Sequence, residues 1–347
     1  MKLLLENGMT FEGESFGANV PITGEVVFNT GMMGYVETLS DPSYTGQIVV
    51  LTYPLVGNYG VPSSKHFESE KIHAAGLIVA NYSEEYSHAD AKESLSEWLK
   101  RSGVPAITGV DTRAITKVLR EKGVMLGQIT SGKKGKFVDP NKENLVVLVS
   151  PKKKKEYGTG PVRIVLVDCG AKENIARSLM NDDTTLIRVP WDYDFMQEKY
   201  DGVVLSNGPG DPVACKETIA NVKKAMKGDK PILGICLGTQ IMALAAGAKT
   251  YKLKYGHRAQ NQPCVTGKRC YITSQNHGYS IDEKSLPKEW KVWFTNANDG
   301  SVEGVRHTSK PFRSVQFHPE ACPGPTDTHW IFDDFRKDVL KTKKRTP

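Results

Sequence analysis

The chain is predicted to be α/β, with a mostly parallel sheet flanked by helices in its C-terminal part and a smaller mixed α/β domain in front. Three observations carry that prediction. Short apolar runs at residues 162–167, 202–205 and 231–235 are separated by helical stretches, the pattern of a parallel sheet wrapped by helices. A polar, Pro- and Gly-bearing, non-periodic stretch from Ser150 to Pro161 precedes them and reads as a linker. With 347 residues, 39% hydrophobic, the chain is long enough for two separate cores.

Taken in order, residues 1–150 mix strand-like runs at 24–29, 47–53 and 76–80 with two helices. One helix is expected over 91–100. The other starts near Asp111 or Thr112 and stops at Lys122-Gly123, where glycine suits a C-cap. Residues 151–161 form the linker, 162–340 the second domain and 341–347 a basic tail. A helix is expected over 240–246, directly behind the last apolar run.

Composition narrows the class. No stretch approaches the roughly 18 apolar residues of a membrane span. The run Met1-Lys2-Leu3-Leu4-Leu5 meets Glu6 too soon for a signal peptide and is not Arg/Ser-rich like a transit peptide, so a cytoplasmic home is expected, although trimming of an organellar leader leaves the same sequence. Six cysteines, at 169, 215, 236, 264, 270 and 322, form no Cys-x-x-Cys pair, which argues against a disulfide framework and against a zinc site. The net charge of +7 gathers in short runs at 133–136, 152–155 and 341–345 without interleaved aromatics, so these read as solvated segments and no nucleic-acid partner is expected.

Three motifs carry chemistry. Gly234-Ile235-Cys236-Leu237-Gly238 delivers a cysteine from an apolar run into a turn that its glycines keep free of side chains, and the helix behind it favours an anion at the sulfur. A lone cysteine at a strand end is more often a small core residue. The flanking glycines reverse that preference. Ser206-Asn207-Gly208-Pro209-Gly210 ends the 202–205 run with a loop whose backbone amides can approach a ligand, and both turns should line one crevice at the strand ends. In Val315-Gln316-Phe317-His318-Pro319-Glu320 an extended backbone puts His318 and Glu320 on one side, where the carboxylate can orient the imidazole as a base for the thiol. Neither a Gly-x-x-x-x-Gly-Lys loop nor a Gly-x-Gly-x-x-Gly turn occurs, so no nucleotide-binding motif is present.

Together these motifs resemble the class I, triad-type glutamine amidotransferases over about residues 162 to 340. The first domain is similar to the small subunit of carbamoyl phosphate synthetase, on the segments 24–30, Gly34-Tyr35, Asp41-Pro42-Ser43-Tyr44, Leu51-Thr52-Tyr53-Pro54 and 111–116, with Asn261-Gln262-Pro263 and 275–279 adding to the match. The resemblance implies a glutaminase with Cys236 as nucleophile, His318 as acid and base, Glu320 as its orienting acid, and the amides of Leu237 and Gly210 as oxyanion donors. It assigns Ser43, Gly208, Gly210, Leu237, Gln240, Asn276, Gly278 and Tyr279 to L-glutamine, with Ser43 reaching across from the first domain. His277, inside that substrate segment, is the rival base and is set aside. The family commonly has histidine where Thr239 stands, and a threonine there is expected to satisfy a free helix-end amide.

The implied partner is a large synthetase subunit, or a fused synthetase domain, that uses ATP, magnesium and bicarbonate and receives the ammonia to make carbamoyl phosphate for pyrimidine or arginine synthesis. No cofactor and no metal are expected in this chain. Two other readings compete with this one. A noncatalytic regulatory or scaffolding subunit would not need the three triad residues, and the glutaminase of another amidotransferase, such as anthranilate synthase, would leave the first 150 residues unexplained.

Overall fold

A computed structural model describes residues 1–132 and 135–344. The basic run at 133–136 and the tail at 341–347 therefore fall partly outside the described residues. Two compact units divide at Glu143 and Asn144.

The first unit, Met1–Glu143, is built on an eight-stranded mixed sheet. Its centre runs parallel through Ile22–Asn29, Gln47–Leu51, Gly76–Ile78 and Ala106–Thr108, and Met125–Thr130 and Lys2–Leu5 join antiparallel on one side. These include the three apolar runs read as strands. Val27, Val49, Leu77, Leu39, Trp98 and Leu99 fill the core on one face. The helix expected over 91–100 is Leu95–Arg101, because Ser94 and Glu97 form a reciprocal capping box that fixes its start. The other helix is Thr112–Lys122, with the Asp111 carboxylate accepting from the Ala114 amide and Gly123 ending it at φ 98°.

The second unit holds a ten-stranded sheet. Five strands run parallel in the order Thr184–Pro190, Val162–Asp168, Gly202–Leu205, Ile232–Ile235, Phe312–Val315. Successive residues alternate between two apolar layers: Val165, Val167, Val203 and Leu205 on one face, Ile164, Leu166, Val204 and Leu233 on the other. Both faces are covered, which is why these strands read as unbroken apolar runs.

The remaining strands differ from the expectation of a mostly parallel sheet. Val302–His307, Trp290–Asn296 and the long hairpin Thr250–Thr266 with Arg269–Ile281 extend it antiparallel. Their buried positions include His257, Arg258, Gln275 and His277, so no apolar alternation marked them.

The segment read as a linker is part of this unit. Lys155–Tyr157 pairs antiparallel with Thr184–Pro190 as an edge strand, and Val146, ahead of it, lies in the core. Exposed lysines protect such an edge from pairing with another chain, so an edge strand and a linker share one composition here. The presumed tail likewise begins as the last turn of the helix Trp330–Lys343, whose Phe332, Phe335 and Val339 are buried. No helix among the described residues is long and apolar enough to cross a membrane. All six cysteines are unpaired.

Candidate active site

Four neighbouring parallel strands, ending at Asp168, Leu205, Ile235 and Val315, deliver four loops to one edge of the sheet. The chemistry-bearing residues sit on those loops. Cys236 follows its strand directly at φ 53° and ψ −106°, a backbone region that costs a non-glycine residue energy and persists where surrounding structure enforces it. Its amide donates to the Val315 carbonyl at 2.9 Å, and the helix Leu237–Ala246 starts at the next residue, earlier than expected. The thiol is 2% exposed and donates to the Asn276 carbonyl at 3.6 Å.

Both glycines of the motif are required by close approach. A Cβ on Gly234 would lie 2.7 Å from the Gly238 carbonyl oxygen, and one on Gly238 would lie 2.3 Å from that of Leu205. The Gly208 loop abuts the same turn: the Gly238 amide donates to the Ser206 carbonyl at 3.0 Å, and a Cβ on Gly208 would meet the Leu237 side chain at 2.8 Å. The amides of Leu237 and Gly210 donate to no acceptor among the described residues, which leaves two backbone donors for a ligand.

His318 and Glu320 meet as read, by a different backbone route. Nδ1 of His318 lies 2.6 Å from Glu320 Oε1, but the chain turns between them, with the Ala321 amide donating back to the His318 carbonyl at 3.1 Å. Both side chains are buried. Burial disfavours the imidazolium, yet Glu320 and then Cys236 outweigh it and hold the His318 pKa well above the ordinary histidine value. Nε2 has no hydrogen-bond partner of ordinary geometry among the described residues, yet Cys236 is near enough to help raise the His318 pKa.

Sequence reasoning missed Lys172. It follows the Asp168 strand end, is 2% exposed, and places its ammonium 3.2 Å from Glu320 Oε1. It also donates to the Ala321 carbonyl, which fixes the turn that carries Glu320. Although burial raises a carboxyl pKa, Lys172 and then His318 pull that of Glu320 well below the usual range. A lysine in a glycine-alanine turn carries no spacing signal, because its partner lies 148 residues away.

A depressed carboxyl pKa contributes stability that is complete above the ordinary glutamate range and lost as pH falls through the folded value. Lys172→Met should raise the folded pKa of Glu320. The variant is expected to lose about 3 kcal/mol or more near pH 7, as breaking a buried pair does, with the gap to the parent closing in acid. Urea melts across pH check this, and a pH-independent gap would refute it.

The residues assigned to glutamine divide by place. Gln240 is buried and donates to the Tyr279 carbonyl at 2.9 Å and to Gln316 at 3.1 Å, tying the helix behind Cys236 to the 276–279 segment. Asn276 touches the thiol through its carbonyl, and Gly278 and Tyr279 are half-buried beside it. Ser43 belongs to the first unit, in the turn Pro42–Tyr44, with its amide donating to Asp41 at 2.9 Å, and is not among the residues that the second unit brings together. His277 turns both ring nitrogens elsewhere, toward Tyr279, Gln275 and Glu303.

Contrary to expectation, Thr239 does not cap a helix-end amide. Its hydroxyl lies within hydrogen-bond distance of the carbonyls of Gly234 and Val315 and donates there, pinning the helix to two strand ends.

Residues 165–338, half of the chain, match the family model "Glutamine amidotransferase class-I", and residues 3–129 match "Carbamoyl-phosphate synthase small chain, CPSase domain". The chain is 52% identical over 350 residues to the multifunctional protein CAD of Squalus acanthias, which covers 96% of this chain and 16% of that protein. It is 49% identical over 360 residues to the mitochondrial carbamoyl-phosphate synthase [ammonia] of Aquarana catesbeiana, covering 99% of this chain and 24% of that protein. The multifunctional protein pyr1-3 of Dictyostelium discoideum is 48% identical over 372 residues, 97% of this chain and 17% of that protein. The chain thus spans less than a quarter of the length of these relatives. It belongs to the class-I glutamine amidotransferases, and its first unit carries the small-chain domain of carbamoyl-phosphate synthase.

Proposed function

We propose that this chain hydrolyses the side-chain amide of L-glutamine through a Cys236-His318-Glu320 triad, and hands the ammonia to a synthetase subunit or fused domain that makes carbamoyl phosphate. The observation that carries the reading is the backbone-strained Cys236 at the strand edge, in the electrostatic field of a buried His318 paired to Glu320.

In this reading the Cys236 proton passes to His318 Nε2 and the sulfur bonds to the glutamine amide carbon. The carbonyl oxygen becomes an oxyanion, to which the Leu237 and Gly210 amides donate. His318 protonates the leaving nitrogen, the carbon–nitrogen bond breaks, and ammonia departs. Water, losing a proton to His318, then attacks the thioester through a second oxyanion, and glutamate leaves as the sulfur regains its proton. Glu320 balances the imidazolium throughout, and Lys172 keeps Glu320 ionised. Gly208, Gln240, Asn276, Gly278 and Tyr279 shape the glutamine site in this scheme. ATP, magnesium and bicarbonate belong to the partner.

A diazoketone analogue of glutamine tests the assignment. It should add one label per chain, at Cys236, and excess glutamine should protect. Cys270 is exposed and Cys322 half-buried, so peptide mapping distinguishes specific labelling from general alkylation. Label only at those two, with no glutamate release even beside the synthetase partner, would favour a noncatalytic scaffolding subunit.

A further inference from the structure

A second buried cluster lies in the antiparallel half of the second unit. His257, His277 and Glu303 each offer one ligand atom, and all of these lie within 4.8 Å of one another. Glu303 Oε1 is 3.2 Å from His257 Nδ1 and 3.6 Å from His277 Nε2. Around a tetrahedral ion with bonds of about 2.0–2.1 Å, neighbouring donor atoms stand about 3.3–3.4 Å apart. The two distances from Glu303, 3.2 and 3.6 Å, bracket that value. Gln275 Oε1, 3.2 Å from His277 Nε2, offers a fourth donor, and its amide nitrogen is turned away toward Thr273 and Cys264.

The hydrogen bonds around the rings are an independent observation. His277 Nδ1 faces the Tyr279 carbonyl at 2.9 Å, and since a carbonyl only accepts, Nδ1 carries the proton. The lone pair of Nε2 then points among two further acceptors, Glu303 Oε1 and Gln275 Oε1. On the other side, His257 Nε2 lies 2.9 Å from Asp299, so its outward nitrogen also has an acceptor. Each imidazole thus gives its outer N–H to a carbonyl or carboxylate, the arrangement that orients metal-bound histidines. Glu303 is 0% exposed and its Oε2 has no hydrogen-bond partner, a costly state for a carboxylate. Asn296, 3.4 Å from Glu303 Oε1, donates only a long contact.

We propose that His257, His277 and Glu303 bind one divalent transition-metal ion, with Gln275 Oε1 in reach of the fourth position. Two imidazole nitrogens with oxygen donors suit zinc. The ligands come from three strands, Thr250–Thr266, Arg269–Ile281 and Val302–His307, so the ion would cross-tie the sheet through His277, inside the 276–279 segment. The competing arrangement is metal-free, with His257 as an imidazolium between Asp299 and Glu303. It accounts for His257 but leaves the His277 lone pair facing Glu303.

The proposal rests on this geometry and not on the glutaminase reading. Full-length chain prepared with zinc and without chelator should carry close to one equivalent by elemental analysis. Chain stripped by a chelator should melt at a lower temperature and recover on adding zinc. Cobalt(II) added to the stripped chain should give the visible bands of a four-coordinate site. Glu303→Gln should abolish the bands, whereas Cys236→Ser should keep them while losing any glutaminase activity. No retained metal, no cobalt bands and an unchanged melt in the parent chain would overturn the proposal in favour of the metal-free network. Bands lost in Cys236→Ser but kept in Glu303→Gln would overturn it too, by placing the ion at the nucleophile.

Discussion

Replacing Cys236 with serine is expected to lower glutamate release from glutamine by about 10⁴-fold or more, the scale seen when a nucleophile that acts as a unit with its base is removed. The substitution is nearly isosteric in a site where the thiol makes one long hydrogen bond, so the variant should fold and melt like the parent. Forming an alkoxide takes a much stronger base than forming a thiolate, and His318, although Glu320 makes it more basic than an ordinary histidine, falls well short of what a serine hydroxyl needs. Paired with the synthetase partner, the variant should still make carbamoyl phosphate from ammonia while failing with glutamine. Equal glutamate release by both proteins, alone and with the partner, would eliminate Cys236 as nucleophile. Loss of the ammonia-dependent reaction as well would mean that the substitution disrupts the assembly rather than the chemistry.

Gly238→Ala should be among the most damaging single methyl groups in this site. Its Cβ would stand 2.3 Å from the Leu205 carbonyl oxygen and 2.7 Å from both the Leu205 carbonyl carbon and Cβ, all in a strand buried on two faces. No flexible side-chain end is available to yield, so the helix Leu237–Ala246 must move away from the strand. Overpacking of this kind costs about 1–3 kcal/mol, occasionally more, and the upper part of that range is expected here. The same movement would carry the Leu237 amide and the Cys236 backbone with it, so the fall in kcat should exceed what partial unfolding explains. Denaturant melts read alongside kcat per folded chain check both parts. Gly228→Ala, whose Cβ would meet only Ala225 at an ordinary 3.5 Å, is the control and should change neither. A stable Gly238→Ala with full kcat would show that the turn tolerates a side chain and that its glycine serves no packing purpose.

The parallel strands of the second unit were legible because each is buried on both faces and so reads as an unbroken apolar run. The antiparallel half was not. Its buried residues mix apolar side chains such as Phe294, Val302 and Val305 with polar ones such as His257, Arg258, Gln275 and His277, and a polar residue satisfied inside the fold looks in sequence like an exposed one. The 151–161 stretch failed for the opposite reason, since charged lysines serve an exposed edge strand as well as a linker. In the site, Cys236, His318 and Glu320 were found because glycine spacing and an i, i+2 pair are local signals. Lys172, far along the chain from Glu320, had no such signal.

By itself the sequence determined the α/β class, the glycine-flanked cysteine turn and the nearness of His318 to Glu320, all consequences of backbone geometry within a few residues. The tertiary structure decided what those residues face: Lys172 on Glu320, Asn276 on the thiol, Thr239 on two strand carbonyls, and Glu303 between two histidines. Such contacts join segments that only the sheet brings together, and their energies come from burial, which removes the water that would otherwise screen each charge and satisfy each polar atom.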